Sequence, residues 1–158
     1  MKQRFLPLLA LVLALLLSAC TQPSPPQTPG FTPTVAEQLL GCGAFSEPID
    51  ALEPDIAWGL YRLSAAGLSR EQMTDAIAFR SSGATCEELA LLTFSDENAA
   101  QTAKNALTEY IDDQILANKD YRPAQLPKLE QARLICRGTT VLLLIANDYA
   151  PAQPLLDR

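Results

Sequence analysis

Four cysteines, Cys20, Cys42, Cys86 and Cys136, are the side chains here best suited to covalent chemistry. A cysteine acts as nucleophile or metal ligand only as its thiolate, so its neighbours decide what it can do. The chain has no histidine. That removes the usual general base, the usual activator of a nucleophile and the commonest metal ligand. No Ser-His-Asp or Cys-His site can be assembled within one chain. Gly-x-Ser-x-Gly, Ser-x-x-Lys, Cys-x-x-Cys and the phosphate-binding glycine loop are all missing. Two acid pairs remain, Glu87-Glu88 and Asp112-Asp113. Neighbours in a strand point to opposite faces, and neighbours in a helix diverge by about 100°. Neither pair therefore makes an acid/base dyad by spacing, and Glu109, Asp112 and Asp113 read as the solvated side of a helix. Asp96-Glu97-Asn98 lacks the ligand spacing and the glycine of a calcium loop. Trp58 and Tyr61, three apart, could form an aromatic sugar- or peptide-binding spot, but core packing is the preferred reading. No catalytic, cofactor-binding or metal-ligating residue is assigned, and no cofactor is expected.

Cys20 stands apart from the other three. Lys2 and Arg4 precede an uncharged run, Phe5 to Leu17, and Leu17-Ser18-Ala19-Cys20 closes it with small residues. A basic start, an apolar run of about 7–15 residues and a small-residue end mark an export signal. A membrane-spanning helix needs about 20 apolar residues, and Pro7 interrupts the first turn of this shorter run. The closing tetrapeptide resembles the bacterial lipobox. The resemblance implies cleavage between Ala19 and Cys20, a diacylglycerol on the Cys20 thiol, and acylation of the new amino group. Two or more buried chains hold a protein stably at a bilayer, at about 0.8 kcal/mol per CH₂. Residues 1–19 are thus expected to be a lipoprotein signal peptide. The expected location is the extracytoplasmic face of the cell membrane, with inner and outer membranes not distinguished. Export permits a disulfide, but Cys42, Cys86 and Cys136 allow three pairings and always leave one over. Free thiols are the favoured reading and one bridge the alternative.

Residues 20–33 hold the lipidated cysteine and a tether. From Thr21 to Pro33 there are five prolines and no charge. Proline removes amide donors and fixes φ, so this segment is expected to be semi-extended, with a reach of roughly 40 Å. The net charge of −6 becomes more negative once Lys2 and Arg4 are removed. Such a chain is repelled by nucleic acid and by anionic headgroups. The expected partners are the membrane, through the lipid on Cys20, and a protein or small ligand of unspecified chemistry; nucleic acid is not among them.

Residues 34–158 are long enough for a single domain with its own core. Val35, Leu39 and Leu40 form a helical stripe ended by Gly41 and Gly43. Pro54 opens a short helix with Ile56, Leu60 and Leu63 on one face. Ser69 with Gln72 makes a capping-box pattern, and Met73, Ala76 and Ile77 continue it as a third helix. Cys86 to Phe94 reads as a buried strand. Ser95-Asp96-Glu97 starts a long helix whose stripe runs from Ala99 through Leu107 and Tyr110 to Ile115. Asn118 to Lys128 carries two prolines and reads as a loop. Arg137-Gly138-Thr139 turns a hairpin with Gly138 at a positive-φ position. Pro151 and Pro154 limit any terminal helix to a turn or two.

This order predicts an α+β domain: about three N-terminal helices, then strand, long helix and β-hairpin. The expected sheet is small, mainly antiparallel and three-stranded, with the long helix across one face. The succession "VAEQLLGCGAFSEPIDALEPDIAWGLYRL", "ATCEELALLTFSDENAAQTAKNALTEYIDDQ" and "ARLICRGTTVLLLIA" resembles a family of uncharacterised lipoproteins from Gram-positive anaerobes, a domain of unknown function. Where such relatives often have a polar Asn-Gly turn, this chain has Arg137-Gly138. The resemblance implies attachment outside a cytoplasmic membrane and carries over no catalytic residues. The resulting expectation is a membrane-anchored, non-enzymatic binding or interaction module. An accessory or structural subunit of an envelope complex, and a histidine-independent hydrolase, are the alternatives.

Overall fold

The structure, a computed structural model, describes residues 29–158. The expected signal peptide, the Ala19–Cys20 junction and most of the tether lie outside the described residues. In chain order the elements are α1 (Pro33–Gly41), β1 (Asp50–Leu52), α2 (Pro54–Leu60), β2 (Met73–Arg80), β3 (Glu88–Phe94), α3 (Glu97–Asn118), α4 (Leu126–Glu130), β4 (Arg133–Arg137), β5 (Thr140–Ile145) and α5 (Gln153–Leu156). The domain is α+β. Its sheet has five strands in the order β1-β2-β3-β5-β4, every neighbouring pair antiparallel.

The uninterrupted apolar runs of β3 and β5 are explained by cover on both faces. Ala90, Leu92, Phe94, Val141, Leu143 and Ile145 share one core with Ala103, Leu107 and Tyr110 of α3. Leu89, Leu91, Leu142 and Leu144 share the other with Ala36 and Leu39 of α1 and Leu156 of α5. The period-two alternation of a strand sends each set to its own side. The long helix packs on the first face, as expected. Asp96 caps it: Ala99 N–H donates to Asp96 Oδ1 at 2.9 Å. The hairpin turn also matches, with Gly138 at φ 51°.

The third N-terminal helix is the main correction. Ser69 N–H does donate to Gln72 Oε1 at 2.9 Å. That arrangement closes only a 3₁₀ turn, Arg70–Gln72, and Met73–Arg80 then runs as β2. A start signal satisfies the first amides of a helix but cannot propagate it. Here Thr74, Ile77 and Phe79 suit a pleated strand, and β3 offers a full-length partner, pairing from Met73↔Phe94 to Arg80↔Glu88. With β1 added, the sheet has five strands rather than three. On α2 the buried face is Ala57, followed by Tyr61, while Ile56 is exposed. The loop expected over residues 118–128 contains the start of α4, with Pro127 in its first turn. Phe31, within the expected tether, is buried, and its N–H donates to Thr140 Oγ1 at 2.9 Å.

Candidate functional site

The adjacent carboxylates Glu87 and Glu88 are both fully buried where β3 begins. Strand geometry sends them to opposite faces of the sheet, and each meets a different set of partners.

Glu87 accepts from the Ser46 N–H at 2.8 Å and from the Ser46 hydroxyl, and Lys128 Nζ lies 2.6 Å away. Tyr149 Oη donates to the Lys128 carbonyl at 2.8 Å and accepts from Ala146 N–H. This ion pair ties the 44–47 loop, α4 and the end of β5 together. Glu47 nearby accepts from the Ser81 and Thr85 hydroxyls, which hold its carboxyl below the ordinary range.

Glu88 sits on the α3 side. Tyr61 Oη donates to its Oε1 at 2.6 Å and Tyr110 Oη to its Oε2 at 2.8 Å. Arg80 Nε is 3.5 Å from Oε2. The two rings meet edge to face, with centroids 5.2 Å apart and planes at 84°. Burial pushes the Glu88 carboxyl above its ordinary value, against the opposing pull of the two hydroxyls and Arg80. Burial and the Glu88 charge push both phenols up, so they stay protonated donors.

The two tyrosines, with Glu88 behind them, floor a cleft of about 390 Å³ between the turn after α2 and one face of α3. Ala65, Ala66 and Ala106 line it, and their short side chains leave the space open. Thr102, Asn105, Glu109 and Asp113 line it as well, at helical spacing. Arg62, at φ 50°, reaches over to Asp113, with Nη1 to Oδ2 at 2.8 Å.

The sequence reading separated Glu87 from Glu88 correctly, and Asp112 and Asp113 are exposed as expected. It did not join Tyr61, Glu88 and Tyr110. Tyr110 was legible as part of a buried stripe, but no local pattern links residues 27 and 22 positions apart. Tyr61 belongs to the core, while Trp58 packs at its edge with Arg70 over its ring at 5.8 Å. Cys42, Cys86 and Cys136 are free thiols. Among the described residues, no group of three or more His, Cys, Asp or Glu side chains could hold a metal ion, and no helix is long and apolar enough to cross a membrane.

In a comparison with known families, residues 65–146 match the family described as Domain of unknown function (DUF4358), just over half of the chain. The chain belongs to the DUF4358 family. The matched DUF4358 segment runs from Ala65 to Ala146 and spans β2, β3, α3, α4, β4 and β5. Glu88, Tyr110 and the α3 side of the cleft fall inside it, whereas Tyr61 and Arg62 precede it. Neither the curated proteins nor the solved structures contain a match.

Proposed function

We propose that this DUF4358 protein is a lipid-anchored component of the extracytoplasmic face of the cell membrane, and that its domain binds a ligand without transforming it. The observation that carries the binding reading is the cleft over Tyr61 and Tyr110. Its volume falls in the range of small-molecule sites, about 300–1,000 Å³. Its floor is locked by hydrogen bonds and close packing, which preorganises a surface for recognition.

The same lining argues against hydrolysis. A carboxylate pair working on one bond must flank it with both groups available. Glu109 and Asp113 lie four residues apart on one helix face, and Asp113 is already paired with Arg62. Glu88 is closed off behind the two tyrosines.

The anchor is supported by the register of Leu17-Ser18-Ala19-Cys20 with the preceding apolar run. Expression of the full chain in a bacterium tests it. The mature N-terminus should begin at Cys20 and carry the mass of a diacylglycerol, and Cys20→Ser should move the protein from the detergent phase to the aqueous phase. An unmodified N-terminus in the aqueous phase overturns the anchor. The binding reading stands or falls separately, on whether any small molecule perturbs the cleft.

A further inference from the structure

We propose that the cleft takes an organic cation, an ammonium or guanidinium group, seated between Glu109 and Asp113 above the Tyr61–Tyr110 floor. This rests on the reading of the cleft as a ligand site and adds the chemistry of the ligand.

The polarity of the lining carries the inference. Thr102 lines the cleft, and its hydroxyl has already committed its proton. It goes to the Asn98 carbonyl at 2.9 Å, while Tyr61 and Tyr110, buried in the floor, turn their hydroxyls to Glu88 at 2.6 and 2.8 Å and offer the cleft no donor. A hydroxyl has one proton and two lone pairs, so Thr102 has only acceptor capacity left. Glu109 and Asp113 add carboxylate oxygens, which accept hydrogen bonds. Asn105 accepts from Gln101 through Oδ1, which leaves its amide as the uncharged donor of the lining. A ligand rich in donors matches this surface, and an anion meets mostly lone pairs.

Charge points the same way. The lining has two acids against one base, and the Glu88 carboxylate lies behind the tyrosine layer. Low-dielectric walls focus such a field on the space between them. The single base, Arg62, already places a guanidinium on Asp113. Both partners are largely exposed, at 74% and 52%, so the pair is weakly held and an incoming cation can replace it.

The test uses the full chain in nonionic detergent, followed by backbone amide NMR. Three butyl probes of similar size are titrated: n-butylguanidinium, n-butylurea and n-butyrate. The expected result is saturable shifts at Asn105, Ala106, Glu109 and Asp113, with n-butylguanidinium the tightest of the three. Glu109→Gln, at an exposed position, should weaken that probe about tenfold, the effect of losing one charge-assisted contact. Arg62→Gln should tighten it by freeing Asp113. If n-butylurea or n-butyrate binds the cleft as tightly, or if Glu109→Gln changes nothing, the cation assignment is overturned while the site survives. If no probe shifts these amides, both the assignment and the binding reading are overturned.

Discussion

At the scale of single residues, the two buried carboxylates behave differently because their partners differ. The Glu88 pKa is raised by burial above its ordinary value of 4.5, so the folded chain holds that proton more tightly than the unfolded one. Stability from this group therefore falls as pH rises from about 4.5 towards the higher native value, and levels off beyond it. Glu88→Gln removes the titration and keeps the shape. The melting temperature of the natural protein minus that of Glu88→Gln should decline across this window, and a flat difference would contradict the burial argument. Glu87 is neutralised by Lys128 instead, with side-chain exposures of 0% and 15%. Lys128→Met strands that charge and should cost about 3–5 kcal/mol in urea unfolding. Adding Glu87→Gln to Lys128→Met should restore much of the loss, because the pair acts as a unit. The sequence showed where these acids sit along a strand and that they diverge. It could not show that both are buried, since burial comes from Tyr61, Tyr110, Ser46 and Lys128, all distant in the chain.

At the scale of elements, legibility followed locality. The long helix was readable almost in full: Asp96 as cap and an apolar stripe, with the helix running through Asn118, which the sequence had placed at the start of the loop. The Asp96 carboxyl is held below its ordinary value of 3.8, first by the Ala99 amide and then by the Ser95 hydroxyl. Its contribution is present above 3.8 and is lost as pH falls through the lower native value. Asp96→Ala should thus lower the melting temperature at neutral pH, with the gap narrowing in acid. A gap independent of pH would mean the cap acts without its charge. The strand Met73–Arg80 was misread because its local signal and its tertiary partner disagree. The Ser69–Gln72 start is present but lasts one 3₁₀ turn, and pairing with β3 decides the rest. Residues such as Ala76 and Ala78 fit either structure, so the edge offered by β3 settled the matter.

At the scale of the whole molecule, the sheet divides the domain into two cores with separate duties. One carries α3, the tyrosines and the cleft; the other carries α1, α5 and the entering chain at Phe31. The α+β class was legible from the order of elements. The five-stranded sheet and the second core were not, because they depend on pairings and contacts across the chain. Phe31 joins the two ends of the second core: Arg137 stacks on its ring at 4.4 Å and also donates to the carbonyls of Leu156 and Arg158. Phe31→Ala should cost about 3 kcal/mol in chemical unfolding, and a negligible loss would show that the fold starts only at α1. The position of this aromatic also has a mechanical consequence. A pull on the N-terminus enters the domain at Phe31 and passes to the β4–β5 hairpin through Thr140 and Arg137. Thr140 and Arg137 hold Phe31 on the α1 side of the sheet, so a pull arriving from before Phe31 first meets that layer, with the sheet between it and the tyrosine floor.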